Sequence, residues 1–207
     1  MTGLIAYESL PDWVPGRMLL ASDGLGWKNV ALRSYHYRGQ DVIVPAMRDF
    51  MLVGYRAGTT PMQRRFDGGW TKETLGPGAA SLLTRAQRAC WKWHEPIDVT
   101  HVYLAAELVA DVASEVMDCR VTEVTLADVL RTDDTVMTAT MEAIAAEARE
   151  TGLGGPLYVD SLARALIVHL LRRYAHVESR DRLPPGGLAR QQERAIAEFI
   201  ETHLAEP

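Results

Sequence analysis

Residues 75–104 read LGPGAASLLTRAQRACWKWHEPIDVTHVYL. The turn signals Gly76-Pro77-Gly78 and Glu95-Pro96 cut this stretch into short runs rich in Leu, Trp, Val and Tyr. None of those runs has the three- and four-residue spacing of a helix, so each reads as a strand. In CWKWH, two-residue alternation puts Trp91 and Trp93 on one strand face and Cys90, Lys92 and His94 on the other. Working back towards the amino terminus, the same punctuation recurs at Asp67-Gly68-Gly69 and Arg38-Gly39-Gln40-Asp41. It predicts strands over 30–37, 42–45, 50–55, 62–66, 70–75, 80–84, 90–94 and 99–104. Short strands at this spacing predict a sandwich or small barrel. The residues before Trp27 are less regular and contain Pro11 and Pro15, which predicts an arm or loop.

After Leu104 the period changes. Leu108, Val112 and Val116 recur every four residues, predicting a helix over 105–117. Thr132 or Asp133 can cap a second helix that runs to Arg149, with Val136, Met137, Met141, Ile144 and Ala148 on one side. The sequence Thr151-Gly152-Leu153-Gly154-Gly155-Pro156 ends it. A long helix follows over 156–177. Its stripe of Val159, Leu162, Leu166, Leu170 and Tyr174 is widened by Ala163, Ile167 and Leu171. A face that broad can meet a core on one side and a second subunit on the other. A break at Leu183-Pro184-Pro185-Gly186-Gly187 precedes a last helix to about Leu204. Its apolar residues Leu188, Ala195, Ile196, Phe199, Ile200 and Leu204 predict docking on another surface. Strands first and helices afterwards predict the α+β class, not a βαβ parallel sheet.

The 207 residues are 47% hydrophobic and 24% charged, which excludes a disordered chain or a coiled-coil rod. No run approaches the length of a membrane span, and the start MTGLIAYESLPD has no basic stretch leading into an apolar one. Cys90 and Cys119 have no metal-site spacing and cannot form a disulfide framework. The expectation is a cytoplasmic protein without membrane partners. The net charge is −5, unevenly spread: residues 1–104 carry 12 basic and 9 acidic side chains, residues 105–207 carry 10 and 18. Gripping DNA by phosphate neutralisation needs a basic face, and these residues offer none.

Catalytic patterns are missing too. The histidines, His36, His94, His101, His169, His176 and His203, include no His-x-His pair, so no metal is expected. There is no Gly-x-Ser-x-Gly elbow, and Cys90 beside Trp91 reads as a packed thiol. The glycines at 68–69 and 76–78 are explained by turns, and Asp133-Asp134 by a helix start. No catalytic residue and no cofactor are expected. What stands out is an aromatic population on the strands: Tyr35, Tyr37, Trp70, Trp91, Trp93, His101 and Tyr103. Part of it can line an apolar cavity with a few polar groups. The arginines Arg56, Arg64, Arg65, Arg85 and Arg88 read as solvated strand edges.

Residues 75–104 resemble the sensor-barrel segment of AraC-type transcriptional regulators, where a Pro-Gly turn leads into a strand, a Trp-basic-Trp strand and a final strand ending in Tyr-Leu. Here Lys92 stands where Arg is usual. LYVDSLARALIVHLLRRYA, residues 157–175, resembles a helix of one subgroup of that family. GGLARQQERAIAEFIETHLAEP, residues 186–207, resembles the opening of its DNA-binding module. The resemblance covers residues 51–207. It implies a cupin-like (jelly-roll) β-barrel over 1–104 that senses a small-molecule effector. It also implies an all-helical dimerisation region over 105–182, and a linker with the first helix of the DNA-binding module over 183–207. That module carries two helix-turn-helix units, and the chain stops at Pro207, where its first helix would be finishing. Contact with DNA is therefore expected only through a part this chain lacks. Tyr35, Trp91, Trp93 and His101 are the expected effector contacts. Val159, Leu162, Leu166, Ile167 and Leu170 are the expected homodimer contacts. The competing expectations are a metal-free cupin-like enzyme of isomerase type and a protein-interaction module.

Overall fold

The computed structural model describes residues 3–66 and 68–176. Its strands are β1 (Arg17–Ala21), β2 (Val30–Tyr37), β3 (Gln40–Val44), β4 (Phe50–Ala57), β5 (Thr60–Phe66), β6 (Gly69–Leu75), β7 (Ala80–Leu83), β8 (Ala89–Trp93), β9 (Ile97–Leu104), β10 (Thr125–Leu126), β11 (Val129–Thr132) and β12 (Ala175–His176). From β2 to β9 the pairing is nested and antiparallel: β2 with β9, β3 with β8, β4 with β7, β5 with β6. That is a long hairpin rolled over on itself, a jelly roll. The roll leaves two facing sheets, β1-β2-β9-β4-β7-β11 and β3-β8-β5-β6. The β2–β9 register is continuous, running from Val30 opposite Leu104 to Tyr37 opposite Ile97. The bend after β4 needs glycine. Gly58 has φ of +77°, and a Cβ there would lie 2.2 Å from the Pro96 carbonyl oxygen.

The larger sheet is buried on both faces, which is why its central strands read as nearly unbroken apolar runs. Ala31, Tyr35, Tyr37, Met51, Val53, Tyr55, Val99 and Tyr103 point between the sheets, where Trp91 and Trp93 of β8 face them. On the other face Val30, Leu32, Phe50, Leu52, Ala80, Leu82, Val102 and Leu104 form a second core with the helices. Those helices are α1 (Ala106–Met117), α2 (Thr135–Arg149) and α3 (Gly155–Tyr174). The helical half is thus the lid on one sheet of the barrel.

Several expectations are corrected here. The arm is more ordered than its prolines suggest: a 3-10 turn spans Tyr7–Asp12, and β1 adds an edge strand to β2. The chain beyond Leu104 is not all helical, because β11 returns to pair with β7 at the sheet edge and β10 pairs with β12. The cap of α2 is Asp134, whose carboxylate accepts from the Val136 and Met137 amides. Helix α3 ends at Tyr174 instead of 177, since Ala175 turns into the extended β12.

The expected dimer stripe meets a different partner. Val159, Leu166, Ile167 and Leu170 are at most 1% exposed, and half-buried Leu162 packs on the same core. Their partners are α1, α2 and β2 of the same chain. A stripe wide enough for two neighbours lies against the sheet and the other helices, because burying it within the chain requires no association. The last predicted helix lies outside the described residues.

Candidate functional site

Between the two sheets lies a cavity of about 50 Å³. Its wall is built from the inward positions of six strands and closed by the arm. Tyr37 comes from β2, Val42 and Val44 from β3, Met51, Val53 and Tyr55 from β4, Met62 from β5, and Trp91 and Trp93 from β8. Ile97, Val99 and His101 come from β9, and Leu10 and Val14 from the arm. The rings interlock: Tyr37 meets Trp93 edge-on at 6.0 Å between centroids and lies 6.0 Å from His101. Among the described residues no Asp or Glu is on this wall.

Of the residues expected to contact an effector, Trp91, Trp93 and His101 lie on the wall and are 4–7% exposed. Tyr35 does not line it; it stacks behind Tyr37 at 5.2 Å and lies 5.4 Å from His101. Tyr37, Tyr55, Leu10 and Val14 line the wall without being among the expected contacts, although Tyr37 belongs to the aromatic population of the strands. Tyr37 shares the inward face with Tyr35 by simple alternation, so that signal was present. Leu10 and Val14 carried no signal, because nothing local says that an irregular arm folds across a barrel mouth.

Three wall residues carry polar groups that can donate. The Tyr37 hydroxyl and the indole nitrogens of Trp91 and Trp93 are buried with no hydrogen-bond partner among the described residues. Indole N–H can only donate, and such orphaned groups are uncommon in a native interior. Burial pushes the Tyr37 hydroxyl up, keeping it protonated. Burial also pulls the His101 imidazole down to about 3, so it is neutral at physiological pH. His101 Nδ1 lies 2.9 Å from the Tyr103 hydroxyl. Arg64, expected at a solvated edge, is instead 4% exposed. Its guanidinium lies 4.9 Å from the centroid of the Trp91 ring and pairs with Asp128. Burial lowers it to about 10, so it stays charged at neutral pH.

The barrel histidines do not converge. His101 points inward, His36 pairs with Asp98 at 2.6 Å on the opposite face of the sheet, and His94 is exposed. Among the described residues no group of three or more His, Cys, Asp or Glu is arranged to hold a metal ion. No helix among them is long and apolar enough to cross a membrane. Two roomier recesses, about 320 and 440 Å³, are bordered by exposed charged side chains such as Arg48, Glu107 and Glu142.

The neutral, buried His101 makes stability acid-sensitive. Its folded pKa of about 3 lies below the ordinary unfolded value of about 6.5. Between those values the unfolded chain binds a proton that the folded chain refuses, so stability falls as pH drops through this window. The slope is about 1.4 kcal/mol per pH unit. Urea unfolding of the wild type and of His101→Gln at pH 7 and pH 5 should show the variant losing less stability on acidification. Equal losses would refute the assignment.

No family model matches this sequence, and no curated protein matches it. Solved structures do match in fold. The AraC-like transcriptional activator CuxR superimposes with a TM-score of 0.53 at 11% identity, over 85% of this chain and 61% of that one. Two structures of ToxT from Vibrio cholerae give TM-scores of 0.50. The K231A variant is 8% identical over 86% of this chain and 66% of ToxT. The 1.65 Å structure is 11% identical over 86% and 67%. The chain therefore spans about two thirds of the length of these structures. What it shares with them is the fold: a jelly roll with helices on one face, as the resemblance to AraC-type regulators implied.

Proposed function

We propose that this chain is the small-molecule-sensing portion of a transcription regulator, and that the barrel cavity is the effector site. The observation that carries this reading is the wall itself: aromatic, apolar and, among the described residues, free of carboxylates, with three buried donors that have no partner there. Its contacts are Trp91, Trp93, Tyr37 and His101, with Tyr35 supporting Tyr37 from behind. Such a wall suits a small, largely apolar molecule carrying a hydrogen-bond acceptor such as a carbonyl or carboxylate oxygen. A volume of about 50 Å³ holds only a few water-sized bodies, so an effector enters by displacing the arm at Leu10 and Val14. The fold shared with CuxR supports a regulator, and the scattered histidines count against metal-dependent barrel chemistry. A metal-free enzyme remains the competing reading, and turnover of a bound compound would establish it. DNA recognition, on this proposal, belongs to a module outside the described residues.

The test is a titration of benzoate against toluene, followed by quenching of tryptophan fluorescence and by melting temperature. Benzoate should bind more tightly, since it offers acceptors to the orphaned donors. Trp93→Phe keeps an aromatic ring but removes the N–H, and should weaken benzoate roughly tenfold, equivalent to about 1.4 kcal/mol, while leaving toluene unchanged. If neither probe binds, and neither do larger aromatic acids, the cavity is only core.

We further propose a homodimer through the outer face of α3, the side opposite the buried stripe. Leu157 is 72% and Tyr158 48% exposed there, and the small residues Ser161 and Ala165 continue the same exposed face. Small residues let a second helix approach closely, and a twofold contact can repeat the face against its own copy.

A further inference from the structure

We propose that the short strand β11 couples the cavity wall to the last turn of α3. On the sensor reading above, filling the barrel would then be felt where the chain leaves the helices. Besides its pairing with β7 and the bond from Arg131 to the Thr74 carbonyl of β6, two links tie β11 to the cavity wall. The hydroxyl of Tyr55, on the cavity wall, lies 3.1 Å from Ser81 Oγ, and Ser81 donates its only proton to the Leu130 carbonyl in β11. Tyr55 must therefore be the donor to Ser81, which fixes the direction of the chain: Tyr55 to Ser81 to Leu130. Independently, Arg64 packs over the wall residue Trp91 and pairs with Asp128, the residue just before β11.

The other end of β11 is tied to the helices. Thr132 Oγ1 lies 3.1 Å from the Tyr174 hydroxyl, which donates to Asp134 Oδ2 at 2.9 Å. Since Tyr174 gives its proton to Asp134, Thr132 is the donor to Tyr174. Asp134 caps α2 and also takes His169 Nε2 of α3 at 2.7 Å. One residue before Asp128, the Ala127 amide donates to the Tyr174 carbonyl at 2.7 Å. β10 meanwhile pairs with β12, the two-residue strand that follows α3. Residues 125–134 thus form one strap with the cavity wall on one side and the end of α3 on the other. The backbone pairing of the strap with β7 is irregular between Val129 and Thr132, where an exposed Arg131 side chain makes the bond to β6. An edge strand with an irregular register can shift without breaking the barrel.

The coupling is testable without an effector, by hydrogen exchange on the full chain. Tyr55→Phe and Ser81→Ala remove one hydroxyl each from the chain of bonds. Tyr37→Phe removes a cavity-wall hydroxyl that has no partner and serves as the control. The two linked variants should raise exchange at 129–132 and 170–176 at least fivefold over the control. Tyr55→Phe combined with Tyr174→Phe should be non-additive in its exchange rates. Changes confined to β4 and β7, or strict additivity, would overturn the proposal. If Tyr55→Phe fails to fold, Thr132→Val tests the same strap from its helix end, by raised exchange at 129–132. The outcome is separable from the sensor reading. Benzoate binding to the wild type with no coupling in the variants would sink the strap alone. Coupling with no binding of any probe would sink the sensor reading and leave the strap standing as a mechanical link.

Discussion

Leu166→Glu should collapse the fold, not separate a dimer. Leu166 is 0% exposed in the middle of α3, within the core that joins the helices to the larger sheet. The substitution removes a leucine side chain from a close-packed site, which costs about 2–5 kcal/mol on its own. It also asks that core to hold a carboxylate with no partner, which adds several more or forces the helix away from the sheet. The sum is on the scale of the whole stability of an ordinary domain, about 5–15 kcal/mol. Circular dichroism should show a lost or strongly lowered melting transition. Ala165→Glu, one residue away on the exposed face, should leave the melt nearly unchanged. If the outer face of α3 is the dimer contact, light scattering of Ala165→Glu should report a halved mass. A well-folded Leu166→Glu protein would refute the placement of that stripe, and an unchanged mass for Ala165→Glu would move the dimer elsewhere.

Asp134→Ala should be the most damaging substitution of a polar residue. Its carboxylate is nearly inaccessible and accepts from two backbone amides, His169 and Tyr174, with Arg173 Nε at 3.6 Å. Losing the cap costs about 1 kcal/mol. Leaving His169 and Tyr174 with unmet bonds in a part-buried site costs about 1–3 more. Asp134→Asn keeps a capping oxygen and should recover much of the loss. The acid response follows from the same geometry. Burial would raise this carboxyl, but the hydrogen bonds from His169, the Met137 amide and Tyr174 outweigh it and hold it down at about 2. A lowered carboxyl stabilises the fold above its unfolded value of about 3.9. That contribution drains away as pH falls towards 2. Urea midpoints between pH 4.5 and 2.5 should fall more steeply for the wild type than for Asp134→Asn. Parallel curves would show that the carboxylate carries no special charge interaction.

His101 and Asp134 respond to acid in different windows, which lets the barrel and the helix junction be told apart. Of the two, His101 alone accounts for loss between pH 6.5 and about 4, both contribute from there to about 3, and Asp134 carries the loss below that.

The strand ladder is legible in the sequence alone. Gly, Pro and Asp at the turns and alternation between them are local signals, so the jelly-roll strands from Val30 to Leu104 were legible to within two or three residues. The apolar periods of α1, α2 and α3 were legible for the same reason. Alternation also placed Trp91 and Trp93 together on one face. It could not say which face was inward, because strands covered on both sides carry apolar residues at every position. That Tyr37 and Tyr55 join those tryptophans while Tyr35 stands behind depends on how the two sheets close on each other. The broad stripe of α3 was legible as apolar, but a stripe names no partner, and the sheet beneath it proved to be the one. Strand β11 was invisible for a related reason. Four residues between two helices have no period of their own, and they become a strand because β7 presents an unpaired edge at the right distance. Burial of Arg64 is likewise a property of its surroundings: nothing in its own segment announces that Asp128, 64 residues later, will fold back to meet it.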